Sequence, residues 1–244
     1  MADGPLVIAH RGLPKSAPEN TLPSFAAALE HRPDFVECDY RHSADGVPIV
    51  LHDERLDRTT DAATIFGRKK LTVDQLRYDE LARLDAGRWF APQFAGTRLP
   101  TLEATIDTVC GRARLMIERK SGDAATLVEL LRRKNVFDRI VVQSFDPDFL
   151  AECHGLEHRV RLGLLGEKTL SAERLARAAE VGATLVGWKH DDLTAAATAA
   201  AHRAGFEVWS WTLNEPARVR DLVAVGLDGV ITDCCDAVRS WLAG

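Results

Sequence analysis

Charged and polar side chains follow several short apolar runs of the chain, at the points where strands should end. Two histidines and three carboxylates stand there: His10, His52, Glu37, Asp39 and Glu118. Glu37 and Asp39 are two residues apart, so they lie on the same side of a strand. Burying several ions at one level costs several kcal/mol each unless they are paired or bind a metal. Three carboxylates with few nearby cations predict a hard divalent cation, Mg²⁺ or Ca²⁺, rather than zinc, which prefers His and Cys.

Two cationic side chains accompany this group and suit a phosphate. Arg11 follows His10 directly, and Lys120 is two residues after Glu118 on the same side of its strand. A metal with these two cations would hold and polarise a phosphate, and the histidines would pass a proton at each end of the reacting bond. Such acid–base assistance contributes roughly 10²–10⁴ in rate. These residue types together predict phosphodiester cleavage.

Each of these residues also has a simpler structural interpretation. The carboxylates of strand two could pair with Arg41, and Glu118 could merely neutralise Lys120. Asn20 or Thr21 is a good N-cap for the helix that follows. Simple ion pairs do not explain why carboxylates from different strands stand at one level, so we favour the chemical interpretation.

Eight short apolar runs alternate with helical periodicity and must position these groups. The predicted strands cover residues 6–9, 35–38, 115–117, 140–142, 160–165, 184–188, 208–211 and 229–232. Helical periodicity covers residues 21–31, 101–110, 124–133, 171–181, 193–204 and 216–225. Eight such units predict an α/β fold, a (β/α)₈ TIM barrel. The alternative is an open doubly wound sheet, but no Gly-x-Gly-x-x-Gly follows the first strand.

The alternation breaks once, between strand two and helix two, over approximately residues 42–100. Asp45-Gly46 predicts a hairpin turn, and the returning strand at 47–51 ends in His52-Asp53. A short helix is predicted over 73–84, and an aromatic loop is expected to pack the segment onto the barrel through Trp89, Phe90 and Phe94. An insertion here lies on the carboxyl-end face, where barrel enzymes build their sites. We therefore expect one domain over residues 1–244 with a small cap above the pocket.

The composition limits the class of protein. The chain has 244 residues, of which 46% are hydrophobic and 27% charged, as in a globular enzyme, and its net charge of −5 provides no basic field for nucleic acid. No apolar run approaches the roughly 20 residues of a membrane span, and the N-terminus lacks a secretion signal, so we expect a cytoplasmic protein with no stable membrane anchor. The five cysteines show no Cys-x-x-Cys spacing and are predicted to be reduced thiols. Oligomeric state and any role of Cys234 and Cys235 stay open.

The chain resembles the glycerophosphodiester phosphodiesterases of the bacterial, cytoplasmic type. The matching segments occur in the family's order from residue 10 to residue 233, nearly the full chain. They are His10-Arg11-Gly12, Pro18-Glu19-Asn20-Thr21, Glu37-Cys38-Asp39, His52-Asp53, Pro100-Thr101-Leu102-Glu103, Glu118-Arg119-Lys120, Gln143-Ser144-Phe145, Trp211-Thr212-Leu213-Asn214 and Asp228-Gly229-Val230-Ile231-Thr232-Asp233. A His-Arg-Gly alone would be weak, but the ordered set is highly specific.

The resemblance implies a metal-dependent hydrolysis of glycerophosphodiesters to sn-glycerol 3-phosphate and an alcohol. Position by position, it implies Glu37, Asp39 and Glu118 as metal ligands. It implies His10 as the base and His52 as the acid, with Arg11 and Lys120 on the phosphate. We further expect Glu19 and Trp211 to contact substrate or, for Glu19, to orient a pocket group, and Trp188 to wall the pocket. The head group and the choice between Mg²⁺ and Ca²⁺ are not predicted.

Two positions depart from the family pattern, and two other functions stay possible. Arg119 stands where the family is usually apolar, and it should face the outer helices and find an acidic partner there. Cys234-Cys235 follow the final Thr-Asp, where the family often has a proline. The alternatives are a lysophospholipase D-like enzyme with a larger leaving group and a non-catalytic barrel that binds phosphodiesters.

Overall fold

A closed ring of parallel strands forms the centre of the computed structural model, which describes residues 4–243. The strands are β1 (Leu6–Ala9), β2 (Phe35–His42), β3 (Pro48–Val50), β4 (Arg114–Arg119), β5 (Ile140–Ser144), β6 (Arg161–Gly166), β7 (Leu185–Lys189), β8 (Glu207–Trp211) and β9 (Gly229–Thr232). Eight of them pair in parallel, and pairing of β1 with both β2 and β9 closes the ring. β3 pairs antiparallel with the end of β2. The predicted (β/α)₈ barrel is confirmed.

Helices on the outside of the ring connect successive strands. They are α1 (Leu22–Glu30), α2 (Ala62–Phe66), α3 (Tyr78–Leu81), α4 (Leu102–Val109), α5 (Ala124–Lys134), α6 (Pro147–Leu156), α7 (Ala172–Glu180), α8 (Ala195–Arg203), α9 (Pro216–Ala224) and α10 (Val238–Ala243). Side-chain N-caps begin several of them, including Thr21 before α1, Thr101 before α4 and Ser171 before α7. The six predicted barrel helices agree with these bounds within two residues.

The period of two along each strand divides the apolar residues into two layers. Large side chains that point into the ring fill its lower part, where Phe35 and Trp209 meet edge-to-face at 5.0 Å between ring centroids. The alternate residues pack against the outer helices in the main core. Further along the same strands the inward positions are polar, so the functional groups stand above a solid apolar floor at the carboxyl ends.

The insertion between β2 and α4 has an apolar cluster of its own. Leu56, Leu81 and Leu84 are fully buried in it, together with residues from β3. The single helix predicted over 73–84 is wrong: a 3₁₀ turn at Val73–Gln75 is followed by the four-residue α3. The unpredicted α2 has only five residues. Elements this short follow tertiary packing, because they are too short for a helical period to show in the sequence.

The aromatic loop of the insertion packs on itself. Trp89 and Phe90 meet edge-to-face at 5.8 Å, Phe90 and Phe94 at 5.6 Å, and Trp89 stays 41% exposed. The predicted packing of this loop onto the barrel is therefore wrong. Asp85 organises the loop instead, since its carboxylate accepts backbone N–H groups from Gly87, Arg88 and Gly96.

The remaining predictions concern the cysteines, Arg119 and membrane spans. All five cysteines are free, and all but Cys110 are buried. Arg119 faces outward as expected, because its Nη1 donates to Asp146 at 2.8 Å and its guanidinium lies over the Phe149 ring. Across residues 4–243, no helix has both the length and the apolar character needed to cross a bilayer.

Candidate active site

A cavity of about 120 Å³ opens at the carboxyl ends of the barrel strands. It brings together nearly all the site residues predicted from the sequence, although they come from separate strands and from the insertion. The lining residues are His10, Arg11, Glu37, His52, Glu118, Lys120, Gln143, Phe145, Leu165, Trp211, Thr212 and Ile231. Asp39 lies buried beside them, at 1% exposure.

Three carboxylates converge in this cavity. Asp39 on β2 and Glu118 on β4 are register partners, and Glu37 lies two residues before Asp39 on the same face of β2. One oxygen from each carboxylate lies within 4.8 Å of the others, and all three residues are buried. Side chains two residues apart lie on one face of a strand, and β2 and β4 are neighbours. The three carboxylates therefore converge, as the sequence predicts.

Two cations only partly neutralise the three carboxylates. Arg11 Nε lies 3.1 Å from Asp39 Oδ2, and Lys120 Nζ lies 3.3 Å from Asp39 Oδ1. Lys120 also forms the ion pair with Glu118 that the simpler interpretation expects. Arg41 is not a partner of the carboxylates, since its Nε donates to the His52 carbonyl. Within the described residues, buried Glu37 Oε1 has no hydrogen-bond donor, and Asp39 Oδ1 and Glu118 Oε1 share the single ammonium group of Lys120.

The pKa values of the cluster reflect this shortage of positive charge. Burial raises the pKa of Glu37 well above its usual range, and the neighbouring carboxylates add to the shift. Burial and the Asp39 charge raise the pKa of Glu118 to about 7. Burial also disfavours the Asp39 anion, but Arg11 and Lys120 outweigh it and lower the pKa of Asp39 to about 2. A divalent cation would remove this repulsion, and a donor set made only of oxygens fits Mg²⁺ or Ca²⁺. The residues present thus fit the metal that the sequence predicts.

Each histidine of the cavity is held by an aspartate through Nδ1. His10 Nδ1 lies 2.7 Å from Asp233 Oδ1, and His52 Nδ1 lies 2.8 Å from Asp53 Oδ1. Because a carboxylate can only accept, each Nδ1 carries the hydrogen and each Nε2 is left for chemistry. Burial lowers the pKa of His52, and Arg11 is among the charges that lower it further. The position of Asp233 beside His10 was not predicted from the sequence.

A second set of polar residues orients these groups. Asn214 Nδ2 donates to Asp233 at 2.7 Å and so holds the partner of His10. Asn20 Nδ2 donates to Asp39 Oδ2 at 2.8 Å, and Asn20 Oδ1 accepts the Asp39 N–H. Thr21, not Asn20, is the N-cap of α1. Asn20 adopts a φ of +56°, in a region that Asn tolerates better than most residues. The sequence does not show that this position needs such a backbone conformation.

Gly12 allows the turn that carries His10 and Arg11 into the cavity. Its φ is +90°, and a Cβ there would lie 2.7 Å from the backbone carbon of Ser24. Ser24 Oγ donates to the Arg11 carbonyl and accepts the Leu13 N–H, so β1 and α1 are joined at this contact. A side chain at position 12 would push the turn away from the site.

Arg58, a residue of the insertion that the sequence analysis missed, joins the two halves of the site. Its guanidinium donates two hydrogen bonds to Asp53, the holder of His52. It donates two more to Glu19, at 2.8 Å each. Glu19 also accepts from Arg11 Nη1 at 2.9 Å. Both Glu19 oxygens are therefore occupied by arginines, which favours the orienting role expected for Glu19 over a contact with substrate.

Aromatic side chains form one wall of the cavity. Trp211 and Phe145 meet edge-to-face at 5.7 Å, and Phe145 is 47% exposed at the rim. Trp188 does not line this cavity: it is buried on the outer side of the barrel, and it borders a neighbouring cavity instead. Residue 188 has the outward phase of β7, so Trp188 faces the neighbouring cavity and not the one that holds the carboxylates.

The chain is similar to known proteins over almost its whole length. The model of the glycerophosphoryl diester phosphodiesterase family matches residues 10–237. The Bacillus subtilis protein YhdW is 31% identical over 245 residues, covering 95% of this chain and 96% of YhdW. A glycerophosphodiester phosphodiesterase of Caldanaerobacter subterraneus is 30% identical, with 93% of each chain covered. An Oleispira antarctica phosphodiesterase solved with its product sn-glycerol-3-phosphate superposes with a TM-score of 0.89 at 26% identity, covering 99% of this chain and 98% of that one. The chain therefore belongs to the glycerophosphoryl diester phosphodiesterase family, and is an enzyme that hydrolyses glycerophosphodiesters.

Proposed function

We propose that the protein hydrolyses glycerophosphodiesters to sn-glycerol 3-phosphate and an alcohol, with a divalent metal ion and an acid–base pair of histidines. The observation that carries the proposal is the convergence of three buried carboxylates on a cavity lined by two aspartate-held histidines. The product bound in the Oleispira antarctica relative supports sn-glycerol 3-phosphate as one product.

Glu37, Asp39 and Glu118 would hold the metal through their buried oxygens. When bound, such an ion supplies positive charge that polarises a phosphate oxygen and stabilises charge developing in the transition state. The oxygen-only donor set supports Mg²⁺ or Ca²⁺ equally, because these ions differ chiefly in cavity size and ligand number.

Arg11 and Lys120 would bind the phosphate oxygens. Both line the cavity, and both already lie beside the carboxylate cluster, so a phosphate there meets cations on one side. Glu19 fixes the direction of the Arg11 guanidinium from behind. Trp211 would contact the substrate as part of the aromatic wall.

Hydrolysis adds one water across the bond between phosphorus and the alcohol oxygen. His10 Nε2 would take a proton from the attacking water or glycerol 2-hydroxyl, with Asp233 stabilising the imidazolium that forms. Water gives glycerol 3-phosphate directly, whereas the 2-hydroxyl gives a cyclic glycerol phosphate as the alcohol departs, and one water then opens that ring to glycerol 3-phosphate. His52 Nε2 would give its proton to the oxygen of the departing alcohol. Asp53 holds the ring for this transfer, and its hydrogen bond opposes the burial that lowers the pKa of His52.

We also propose that the chain acts as one phosphodiesterase domain, with residues 42–100 as its cap. His52 and Arg58 come from this segment and complete the site that the barrel strands begin. The cytoplasmic location stays a prediction from the sequence.

The test measures glycerol 3-phosphate release from glycerophosphocholine and glycerophosphoethanolamine, with EDTA and with Mg²⁺ or Ca²⁺ restored. We expect activity to need one metal and to fall at least about a hundredfold in His10→Ala and in His52→Ala. The exposed His202→Ala is the matched control. Activity that survives EDTA would contradict metal dependence, and no release under any condition would overturn the proposed reaction in favour of lysophospholipid cleavage or binding alone.

A further inference from the structure

A second cavity adjoins the active site at the carboxyl ends of β5 and β6. It measures about 320 Å³, and Phe145 and Leu165 line both cavities. Phe145 is half-exposed and rests edge-on against Trp211, so it forms a partition between the two spaces. The far side of the second cavity is formed by the loop after β6 and by α7, with Trp188 beneath.

The size of the active-site cavity indicates that it holds only part of a substrate. Ligand pockets occupy roughly 300–1,000 Å³, and the cavity of about 120 Å³ falls below this range. The two adjoining cavities together fall within it. A phosphodiester carries an alcohol on each side of the phosphate, so one alcohol needs space beyond the phosphate site.

The second cavity contains cationic side chains. Lys168 and Arg174 line it, and the described part of the chain places no carboxylate within ion-pair distance of the Lys168 ammonium or the Arg174 guanidinium. Arg174 donates to the Glu167 carbonyl and stacks over Trp188, with its guanidinium carbon 5.4 Å from the ring centroid. Arg177, also in the lining, is paired with Asp148 and Glu180. Glu167 in the lining and Asp192, which accepts the Lys168 backbone N–H, oppose this charge, so what an anion would meet is the two side-chain cations of Lys168 and Arg174 and not a net positive charge.

The backbone at Lys168 is held in a conformation that lysine rarely adopts. Its φ is +65°, in the left-handed region that favours glycine. Two contacts fix it there: the Lys168 N–H donates to Asp192 Oδ2 at 2.7 Å, and the Lys168 carbonyl accepts from Trp188 Nε1 at 2.6 Å. A loop under no constraint would relax or use glycine here, so this anchoring keeps a lysine at the edge of the cavity.

We infer that the second cavity is the subsite for the leaving alcohol, and that it favours alcohols that carry a further anionic group, such as a phosphate monoester. This inference rests on the proposed hydrolysis of glycerophosphodiesters. The phosphodiester lies among Arg11, Lys120 and the carboxylates, and the alcohol passes Phe145 towards Lys168 and Arg174. A cationic alcohol gains nothing from those two side chains, whereas an anionic one gains two attractive charges.

The experiment compares three substrates that differ in the charge of the leaving alcohol. They are glycerophosphoglycerol, the same compound phosphorylated on the far glycerol, and glycerophosphocholine. We expect kcat/KM to be highest for the phosphorylated compound, with the advantage shrinking as salt is added. Lys168→Gln should reduce kcat/KM for the phosphorylated compound about threefold to fivefold more than for glycerophosphoglycerol.

Lys70→Gln is the matched control, since Lys70 is an exposed lysine of the insertion with the same φ of +65° but lies outside both cavities. Hydrolysis of glycerophosphoglycerol without preference for its phosphorylated form overturns the subsite and leaves the proposed reaction intact. So does an equal loss on all three substrates in Lys168→Gln. Failure to hydrolyse any of the three overturns both proposals.

Discussion

Arg58 connects the supports of two residues that the proposed reaction uses, His52 and Arg11. Its guanidinium binds Asp53, which holds His52, and Glu19, which holds Arg11. Four hydrogen bonds from one planar group fix both carboxylates at once, a geometry that lysine cannot reproduce. Arg58 is therefore a positioning residue, acting through its neighbours.

Replacing Arg58 by Gln should lower kcat/KM about tenfold to a hundredfold, because residues that orient reacting groups have effects of this size. It should also move the alkaline limb of the pH profile to higher pH. Without the arginine, the Asp53 charge is less neutralised and stabilises protonated His52 more strongly, so the pKa of His52 rises. The measurement is kcat/KM between pH 5 and pH 10.

Arg58→Lys separates charge from geometry. It should restore the position of the alkaline limb, because the positive charge returns, but not the full kcat/KM. Arg77→Gln is the control, since Arg77 is an exposed arginine of the same insertion that pairs with Asp45 and Asp79 and touches neither Asp53 nor Glu19 among residues 4–243. An unmoved pH profile in Arg58→Gln would show that Arg58 serves only the structure.

The residues that sequence reasoning missed share a physical property. Glu37, Asp39 and Glu118 were predictable because the period of two and the parallel register place them together. Asp233 reaches His10 across 223 residues, through closure of the ring between β1 and β9. No local pattern encodes that pairing, so only the resemblance drew attention to residue 233, without indicating its partner.

At the scale of elements, the alternation of strands and helices in the barrel could be predicted from the sequence, whereas the short helices of the insertion could not. The hydrophobic periodicity of the barrel strands and helices recurs over enough residues to be recognised in the sequence. Inside the insertion, α2 and α3 have five and four residues and are held by packing and by the carboxylate of Asp85. An aspartate that organises a loop through three backbone N–H groups leaves no periodic signal.

Asp85 yields a prediction about the stability of this insertion. Burial disfavours its anion, but the N–H groups of Arg88, Gly96 and Gly87 outweigh burial and lower the pKa of Asp85 from 3.8 to about 2. A lowered pKa stabilises the fold above the unfolded-state value and loses that effect as pH falls through the folded-state value. Asp85→Asn should thus lower the free energy of unfolding by about 1–2 kcal/mol at pH 7.

The difference in the free energy of unfolding between the wild type and Asp85→Asn should be about half as large at pH 3 as at pH 7. Denaturant unfolding at pH 7, 5, 4 and 3 measures it. Asp79→Asn serves as the control, because that side chain is 80% exposed. A difference that stays constant down to pH 3 would mean that the amide disturbs the loop by shape and that the carboxylate charge is not what stabilises it.

At the scale of the whole molecule, the barrel concentrates negative charge where its strands end. The apolar interior below, with Phe35 and Trp209, excludes water from the base of the site. This low-polarity floor strengthens the repulsion among Glu37, Asp39 and Glu118, as well as their attraction for a cation. We therefore expect the repulsion among these carboxylates to lower the stability of the metal-free protein. Functional sites commonly carry such a cost, which the rest of the fold offsets.

Glu37→Gln tests this cost, because glutamine keeps an oxygen that can accept the Arg11 N–H while removing the charge. In EDTA the variant should unfold at the same or a higher temperature than the wild type. With Mg²⁺ or Ca²⁺ at about a hundred times its Kd, the wild type should gain about 2.7 kcal/mol, or roughly 5–10 °C in Tm, and the variant much less. Glu103→Gln, on the surface of α4, should follow the wild type in both conditions. A variant that is less stable than the wild type in EDTA would show that the Glu37 charge supports the fold. The expected result, a higher Tm of the wild type only when the metal is present, would show that the fold tolerates three close carboxylates because a cation holds them together.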